Sequence, residues 1–218
     1  MNAATPAPSA ERPPIVVRDL GRRPLEEVWA EMREFTDRRT STTADELWLV
    51  EHPPVFTLGL KADRAHVLAP GDIPVVQIDR GGQVTYHGPG QVVAYPLLDM
   101  RRLGLDVRRL VIALEDAVIR TVAEYGVTAY GRRDAPGVYV DGKKLAAIGL
   151  RVRRNCSYHG IAINVTMDLE PFRRINPCGF AGLEVTQLSD LCGVDDPSRF
   201  RRDLTPKLLE ALGGAPAG

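Results

Sequence analysis

The sequence predicts an α+β fold, a mixed β-sheet with flanking helices. Three observations lead there. Strand-like and helical apolar patterns follow one another without the strict alternation of a parallel α/β protein. An Asp-Gly pair joins two strand-like runs as an antiparallel hairpin. A chain of 218 residues, 44% hydrophobic and 26% charged, supports one core and contains no linker that would divide it.

Residues 1–14 are rich in Ala and Pro with little to bury, which predicts a disordered lead-in. A single domain then spans residues 15–212, and residues 213–218 form a flexible tail. The first firm element is a helix, because Leu25, Val28, Met32 and Phe35 recur at helical spacing after Pro24. Short apolar runs at 46–51, 73–79 and 92–98, bounded by Pro and Gly, read as strands. The strongest helix carries Val107, Leu110, Val111, Leu114, Val118 and Val122 on one stripe, with Gly126 as its stop, and must cover a sheet. A hairpin follows, running from Val138 through Asp141-Gly142 to Val152, and residues 158–165 form another strand. Residues 197–212 close the chain as a helix that Pro206 is expected to split.

Charge and cysteine content narrow the function classes. Twenty-eight basic and 28 acidic residues cancel, so no global field favours nucleic acid or anionic lipid. No apolar stretch approaches the length of a membrane span, and the N-terminus lacks the pattern of an export signal. Three cysteines, Cys156, Cys178 and Cys192, cannot all pair and have no metal-ligand spacing, which fits a reduced, cytoplasmic compartment. Two nucleotide motifs are imitated and fail. Residues 137–144 place Lys144 where a phosphate loop needs Ser or Thr, and residues 88–93 place Val93 where a dinucleotide fingerprint needs glycine.

The densest chemistry lies in residues 80–91, where four glycines and a proline surround Arg80, Thr85, His87 and Gln91. Backbone that lacks side chains can approach a ligand closely while those groups make directional contacts, so the segment reads as a substrate cradle or as a tight turn between strands. Cys178 stands between Pro177 and Gly179, a placement that exposes a thiol, although an inert half-buried cysteine is the commoner outcome. Only four lysines accompany 24 arginines, and lysine, unlike arginine, can give up its proton. Strict alternation puts Lys144 on one face with Ala146, Ile148 and Leu150, and Lys143 on the other, toward solvent. The same alternation puts His159 with Ile161, Ile163 and Val165 as a satisfied core histidine, with Asn164 opposite, free to bond a backbone turn. His52 reads as a surface residue at a strand end.

Four segments taken together resemble the lipoyl(octanoyl) transferases: residues 51–59 (EHPPVFTLG), the 80–91 cradle, residues 144–149 (KLAAIG) leading to 158–165 (YHGIAINV), and residues 175–179 (INPCG). The resemblance runs from Leu25 to about Gly193. It implies the catalytic fold of biotin and lipoate protein ligases, with Cys178 and Lys144 as the catalytic pair. It also implies a substrate shell of Arg80, Gly81, Gly82, Thr85, Tyr86, His87, Ala147, Ile148, Gly149, His159, Gly160, Ile161 and Ala162. The activity implied moves an octanoyl group from octanoyl acyl carrier protein to a lysine of lipoyl domains, those of 2-oxoacid dehydrogenases and the glycine cleavage H protein, with no cofactor and no metal. Acidic partners would find arginines at 132–133, 151–154 and 173–174. An ATP-dependent lipoate protein ligase and a non-catalytic module that holds acyl-carrier or lipoyl domains are the alternatives.

Overall fold

The computed structural model describes residues 14–177 and 182–213. Apart from Pro14 and Gly213, the two expected tails lie outside those residues. In chain order the elements are β1 (Val16–Arg22), α1 (Leu25–Arg38), β2 (Glu46–Glu51), β3 (Val55–Leu58), β4 (Val75–Gln77), β5 (Val84–His87) and β6 (Gln91–Leu97). There follow α2 (Met100–Leu103), α3 (Val107–Ala123), β7 (Tyr130–Gly131), β8 (Gly137–Val140), β9 (Lys143–Arg153), β10 (Cys156–Asn164), α4 (Leu188–Cys192) and α5 (Pro197–Ala211).

The strands form two sheets, one of seven in the order β1-β2-β6-β10-β9-β8-β7 and one of three in the order β4-β3-β5. Both are mixed: β1 runs parallel to β2 and β3 parallel to β4, while the remaining pairs are antiparallel. The expected α+β architecture is therefore what folds, with strands β1, β3, β5 and β7 added to those the sequence predicts and one predicted run shortened. A strand, β1, precedes the first helix; much of it is exposed, so its sequence carries no alternation, and pairing with β2 holds it at the sheet edge. The run at 73–79 pairs only at Val75–Gln77, and in the small sheet, which also recruits residues 84–87 of the cradle as β5.

Helices α3 and α5 cover one face of the large sheet, where Leu110, Leu114, Val118 and Val122 meet Phe200, Leu204, Leu208 and Leu209 over β2, β6, β9 and β10. Asp106 caps α3 by accepting from the Arg109 N–H at 2.7 Å, a contact worth about 1 kcal/mol. Pro206 does not split α5, which runs unbroken past it. A proline inside a helix costs about 3 kcal/mol. Four fully buried apolar side chains on the same helix, at roughly 2 kcal/mol each, outweigh it. The opposite face of the large sheet receives α1, through Val28 and Met32 on Trp48, Val50, Val93 and Tyr95, and beside α1 the small sheet. No helix among the described residues is long and apolar enough to cross a membrane.

The hairpin forms where the Asp-Gly pair predicts it, with φ of 47° at Asp141 and 82° at Gly142, the two positive values of a type I′ turn. The alternation beyond it is broken. Tyr139 pairs with Lys144 and Val138 with Ala146, so Leu145 is an extra residue on β9 and a bulge. Leu145 and Ala146 both enter the α3-side core. Past the bulge the phase is reversed, and Lys144 shares its face with Ala147 and Gly149, not with Ala146, Ile148 and Leu150 as strict alternation requires.

Candidate active site

A crevice lies between the small sheet and the α1-side face of the large one. Arg80, Gly82, Thr85 and His87 from the small sheet and its entering loop face Ala147, Ile148 and Gly149 of β9 and His159, Gly160, Ile161 and Ala162 of β10. Those residues, drawn from three separate stretches of sequence, are brought together. Gly81 and Tyr86 are not on the lining. The Gly81 N–H instead donates to the Leu150 carbonyl at 2.9 Å. Tyr86 alternates to the far face of β5 and packs between Phe56 and Phe172. Ile78, Val84, Val93 and Tyr95 complete the apolar lining.

Arg80 is structural glue for the crevice wall. Its guanidinium donates to the Thr57 carbonyl at 2.6 Å, the Thr57 hydroxyl at 2.8 Å and the Gly81 carbonyl at 2.9 Å. Gly149 must be glycine, because a Cβ there would stand 2.8 Å from Arg80 Cδ. Three histidines gather beside this wall. His52 is buried, not at the surface as its position before two prolines suggests, since its Nδ1 lies 2.7 Å from the Arg23 carbonyl. A carbonyl only accepts, so Nδ1 carries the proton and Nε2 receives the Tyr95 hydroxyl at 2.8 Å. His87 Nδ1 donates to Gln91 Oε1 at 2.8 Å, and Gln91 passes its own N–H to Asn164 Oδ1 at 3.0 Å. Asn164 donates onward to the Thr186 carbonyl, the backbone bond its place in the strand pattern suggests.

Burial pushes His52 down to about 4, and burial together with the neighbouring His52 pushes His87 down to about 3, so both are neutral imidazoles at pH 7. Burial also lowers His159, against the opposing pull of Asp79. His159 is not a member of the Ile161 and Ile163 face. Its φ of +58° turns the ring to the crevice side, where it stacks on Tyr158 and meets Tyr95 edge-on. Asp79 accepts from His159 Nε2 at 2.9 Å, from the Trp29 indole at 2.7 Å and from the Tyr158 hydroxyl. Burial opposes charge on Asp79, but these three donors outweigh it and hold the carboxyl well below the usual range.

Lys144 is 3% exposed, so its head does not reach water. Its Nζ donates to the Pro136 carbonyl at 3.2 Å and lies 5.3 Å from the centre of the Tyr139 ring. Beneath it sits Glu115 of α3, which accepts from the Gly137 N–H at 2.8 Å; burial raises its pKa, while that N–H and the Lys144 charge oppose the rise. Gly137, at φ +144°, leaves the space through which the lysine stem passes: a Cβ there would lie 2.9 Å from Lys144 Cε. Lys143 points to solvent and pairs with Glu184.

Cys178 lies outside the described residues, but the chain on either side of it is placed. Pro177 lines a small hollow with Lys144, Gln91 and Asn164, and Thr85 and Ala147 belong to both this hollow and the crevice. Downstream, the Lys144 N–H donates to the Glu184 carbonyl at 2.9 Å and the Thr186 N–H to the Lys144 carbonyl at 3.0 Å. Both flanks of the cysteine therefore converge on the lysine. Sequence reasoning missed Glu115, Asp79 and Tyr95. The only signal for Glu115 is a carboxylate next to Leu114 on a buried helical stripe, and Tyr95 is the one polar tip in the apolar run at 92–98.

The fold and crevice define a catalytic domain of the lipoate and biotin ligase kind. A structure of the bipartite lipoate protein ligase from Thermoplasma acidophilum aligns with a TM-score of 0.73 at 15% identity, covering 92% of this chain and 84% of that one. Biotin protein ligase from Aquifex aeolicus, in complex with biotin and ATP, aligns with a TM-score of 0.59 at 15% identity, over 91% and 70%. At such identities the likeness is one of fold. The sequence is more specific: the chain matches the lipoyl protein ligase A/B catalytic domain over residues 24–211. It is also 62% identical over 199 residues to an octanoyltransferase of Alkalilimnicola ehrlichii, covering 91% of this chain and 92% of that protein, and it belongs to this family.

Proposed function

We propose that the chain is an acyltransferase that moves an octanoyl group from octanoyl acyl carrier protein to a lysine amine on lipoyl domains, through a thioester on Cys178. The octanoyltransferase relatives support the transfer and the acyl group. The observation that carries the rest is the convergence of both Cys178 flanks on the buried Lys144, at the mouth of an apolar crevice.

In the first half-reaction the Cys178 sulfur attacks the thioester carbonyl, and the phosphopantetheine sulfur leaves. Thioester replaces thioester, so no nucleotide is consumed. In the second, the acceptor amine attacks the acyl-enzyme, an amide forms, the Cys178 sulfur leaves, and the amine proton passes to the site. Lys144 stabilises the sulfur anion as an ammonium and relays that proton. The eight-carbon chain lies in the crevice, where its methylenes contribute roughly 5 kcal/mol of burial. Acceptors in this reading are the lipoyl domains of 2-oxoacid dehydrogenases and the glycine cleavage H protein, met in the cytoplasm, where the unpaired thiols of Cys156 and Cys192 stay reduced. Among the docking arginines, Arg132 is engaged by Asp134, Arg153 by Asp37 and Arg174 by Glu170.

The test mixes the protein with octanoyl acyl carrier protein without nucleotide and reads it by intact-mass and peptide spectrometry. An octanoyl adduct on Cys178 that vanishes when a lipoyl domain is added is the expected result. A requirement for ATP, or transfer that survives Cys178→Ala, overturns the mechanism. Lys144→Arg keeps charge and fold yet loses transfer, since arginine does not give up its proton.

A further inference from the structure

The crevice has two ends. Lys144 and Pro177 stand at one. At the other, the segment entering the small sheet is fastened to a single rung of the large sheet, the cross-strand pair Leu150 and His159. The Gly81 N–H donates to the Leu150 carbonyl at 2.9 Å, and Asp79 takes the His159 Nε2–H at 2.9 Å. The same carboxylate, itself half-buried, accepts from Trp29 of α1 and from Tyr158, so a helix and both sheets meet at one polar knot. On the adjacent rung toward Lys144 stand Gly149 and Gly160, where Arg80 and the Gly81 carbonyl close over Gly149 and the Ala94 carbonyl lies against Gly160.

Length supports a function for this knot. Ala147, shared by the hollow and the crevice, is three residues from the Leu150 rung, about 10 Å of strand. An extended eight-carbon chain built from ~1.5 Å bonds spans about 9 Å. We propose that the Asp79 knot is the end stop of the acyl crevice, with His159 as the side chain that sets how long a chain is accepted. This rests on the acyl-transfer function proposed above. A longer tail must displace the His159 ring, breaking its bond to the half-buried Asp79 and leaving the buried imidazole N–H without its acceptor, an unpaired polar group of the kind that rejects a misfit more strongly than lost apolar contact does. Held at φ +58° and stacked on Tyr158, the ring does not swing aside without losing those contacts as well.

The test charges acyl carrier protein with chains of about six to fourteen carbons, spanning the length of the crevice, and measures single-turnover acyl-enzyme formation. Wild type is compared with His159→Gly, which tolerates positive φ, His159→Asn, which also does and is shorter, and Asp79→Asn. The readout is the dodecanoyl-to-octanoyl rate ratio within each protein, so a general loss of rate cancels. His159→Gly is expected to raise that ratio at least about tenfold and Asp79→Asn by a smaller factor. If one histidine variant fails to fold, the other decides. An unchanged ratio in a folded histidine variant that still takes up octanoyl overturns the end stop alone. A wild-type protein that acquires no octanoyl adduct overturns the transfer function and the end stop with it.

Discussion

Replacing Gly137 by alanine perturbs the support of Lys144 at one defined point. The added methyl collides with the Ala146 carbonyl, stands 2.9 Å from Lys144 Cε and forces a Cβ onto a residue at φ +144°. Backbone strain of this kind costs about 1–3 kcal/mol, and overpacking adds about 1–3 kcal/mol. A midpoint near 4 kcal/mol lowers Tm by roughly 8–16 °C in a domain of this size. Gly142 is the internal control: it too has positive φ, at 82°, but a Cβ there meets nothing within 4 Å, so Gly142→Ala is charged only with turn strain, about 1–2 kcal/mol. Urea unfolding of the two variants gives the difference. Octanoyl transfer, assayed well below the melting transition, should fall at least tenfold in Gly137→Ala, because under the mechanism proposed above Lys144 relays a proton and its misplacement costs rate steeply. A Gly137→Ala protein within about 1 kcal/mol of wild type and undiminished in transfer would show that the lysine stem does not depend on that gap.

Other consequences follow from the buried polar groups. His52 and His87 have pKa values near 4 and 3 when folded, against an ordinary 6.5. The unfolded chain therefore binds more protons below pH 6.5, and stability present above that pH is lost as the pH falls toward the folded values. His52 alone removes about 3 kcal/mol by pH 4. Thermal melts between pH 7 and pH 4 should record the decline, and a flat Tm would refute it. Asp45, 1% exposed, accepts from Arg39, from Arg102 at 2.8 Å and from the Asp99 N–H at 2.6 Å. Asp45→Ala removes the carboxylate partner of the buried Arg39 and of Arg102, leaving both only carbonyl acceptors, and should cost about 3–5 kcal/mol in urea unfolding. Glu115→Leu leaves the Gly137 N–H unpaired at a cost of about 1–3 kcal/mol, and Glu115→Gln, which keeps an acceptor, should restore most of it.

Much of the architecture was legible because it obeys local rules. The α3 stripe survives at Leu110, Leu114, Val118 and Val122, although Val107 at its first turn is exposed and Val111 only half-buried, and the Asp-Gly turn and the buried runs of β2 and β6 fold where local rules put them. Two of the readings that went astray lie where one residue breaks a period. Leu145 is invisible to alternation because a bulge is a property of the pairing with β8, not of β9 alone. His159 misled for the same kind of reason, since only the knot with Asp79, 80 residues away, holds it at positive φ. In residues 80–91 glycine and proline content masked β5, a strand that exists because β3 pairs with it. The crevice lining was reached through the resemblance, whereas composition alone left the cradle no better than a turn.

Among the described residues the two sheets share no ladder across the crevice. Side chains from α1, one rung and one loop, with the Gly81–Leu150 backbone hydrogen bond, hold its walls together, so its bore can be altered by point substitution without unpairing a strand. A scaffold arranged in this way separates tailoring for a new tail from the burden of refolding. If the crevice holds the acyl group as proposed above, the same frame can be recut for differently shaped cargo while its hydrogen-bonded skeleton stays as it is.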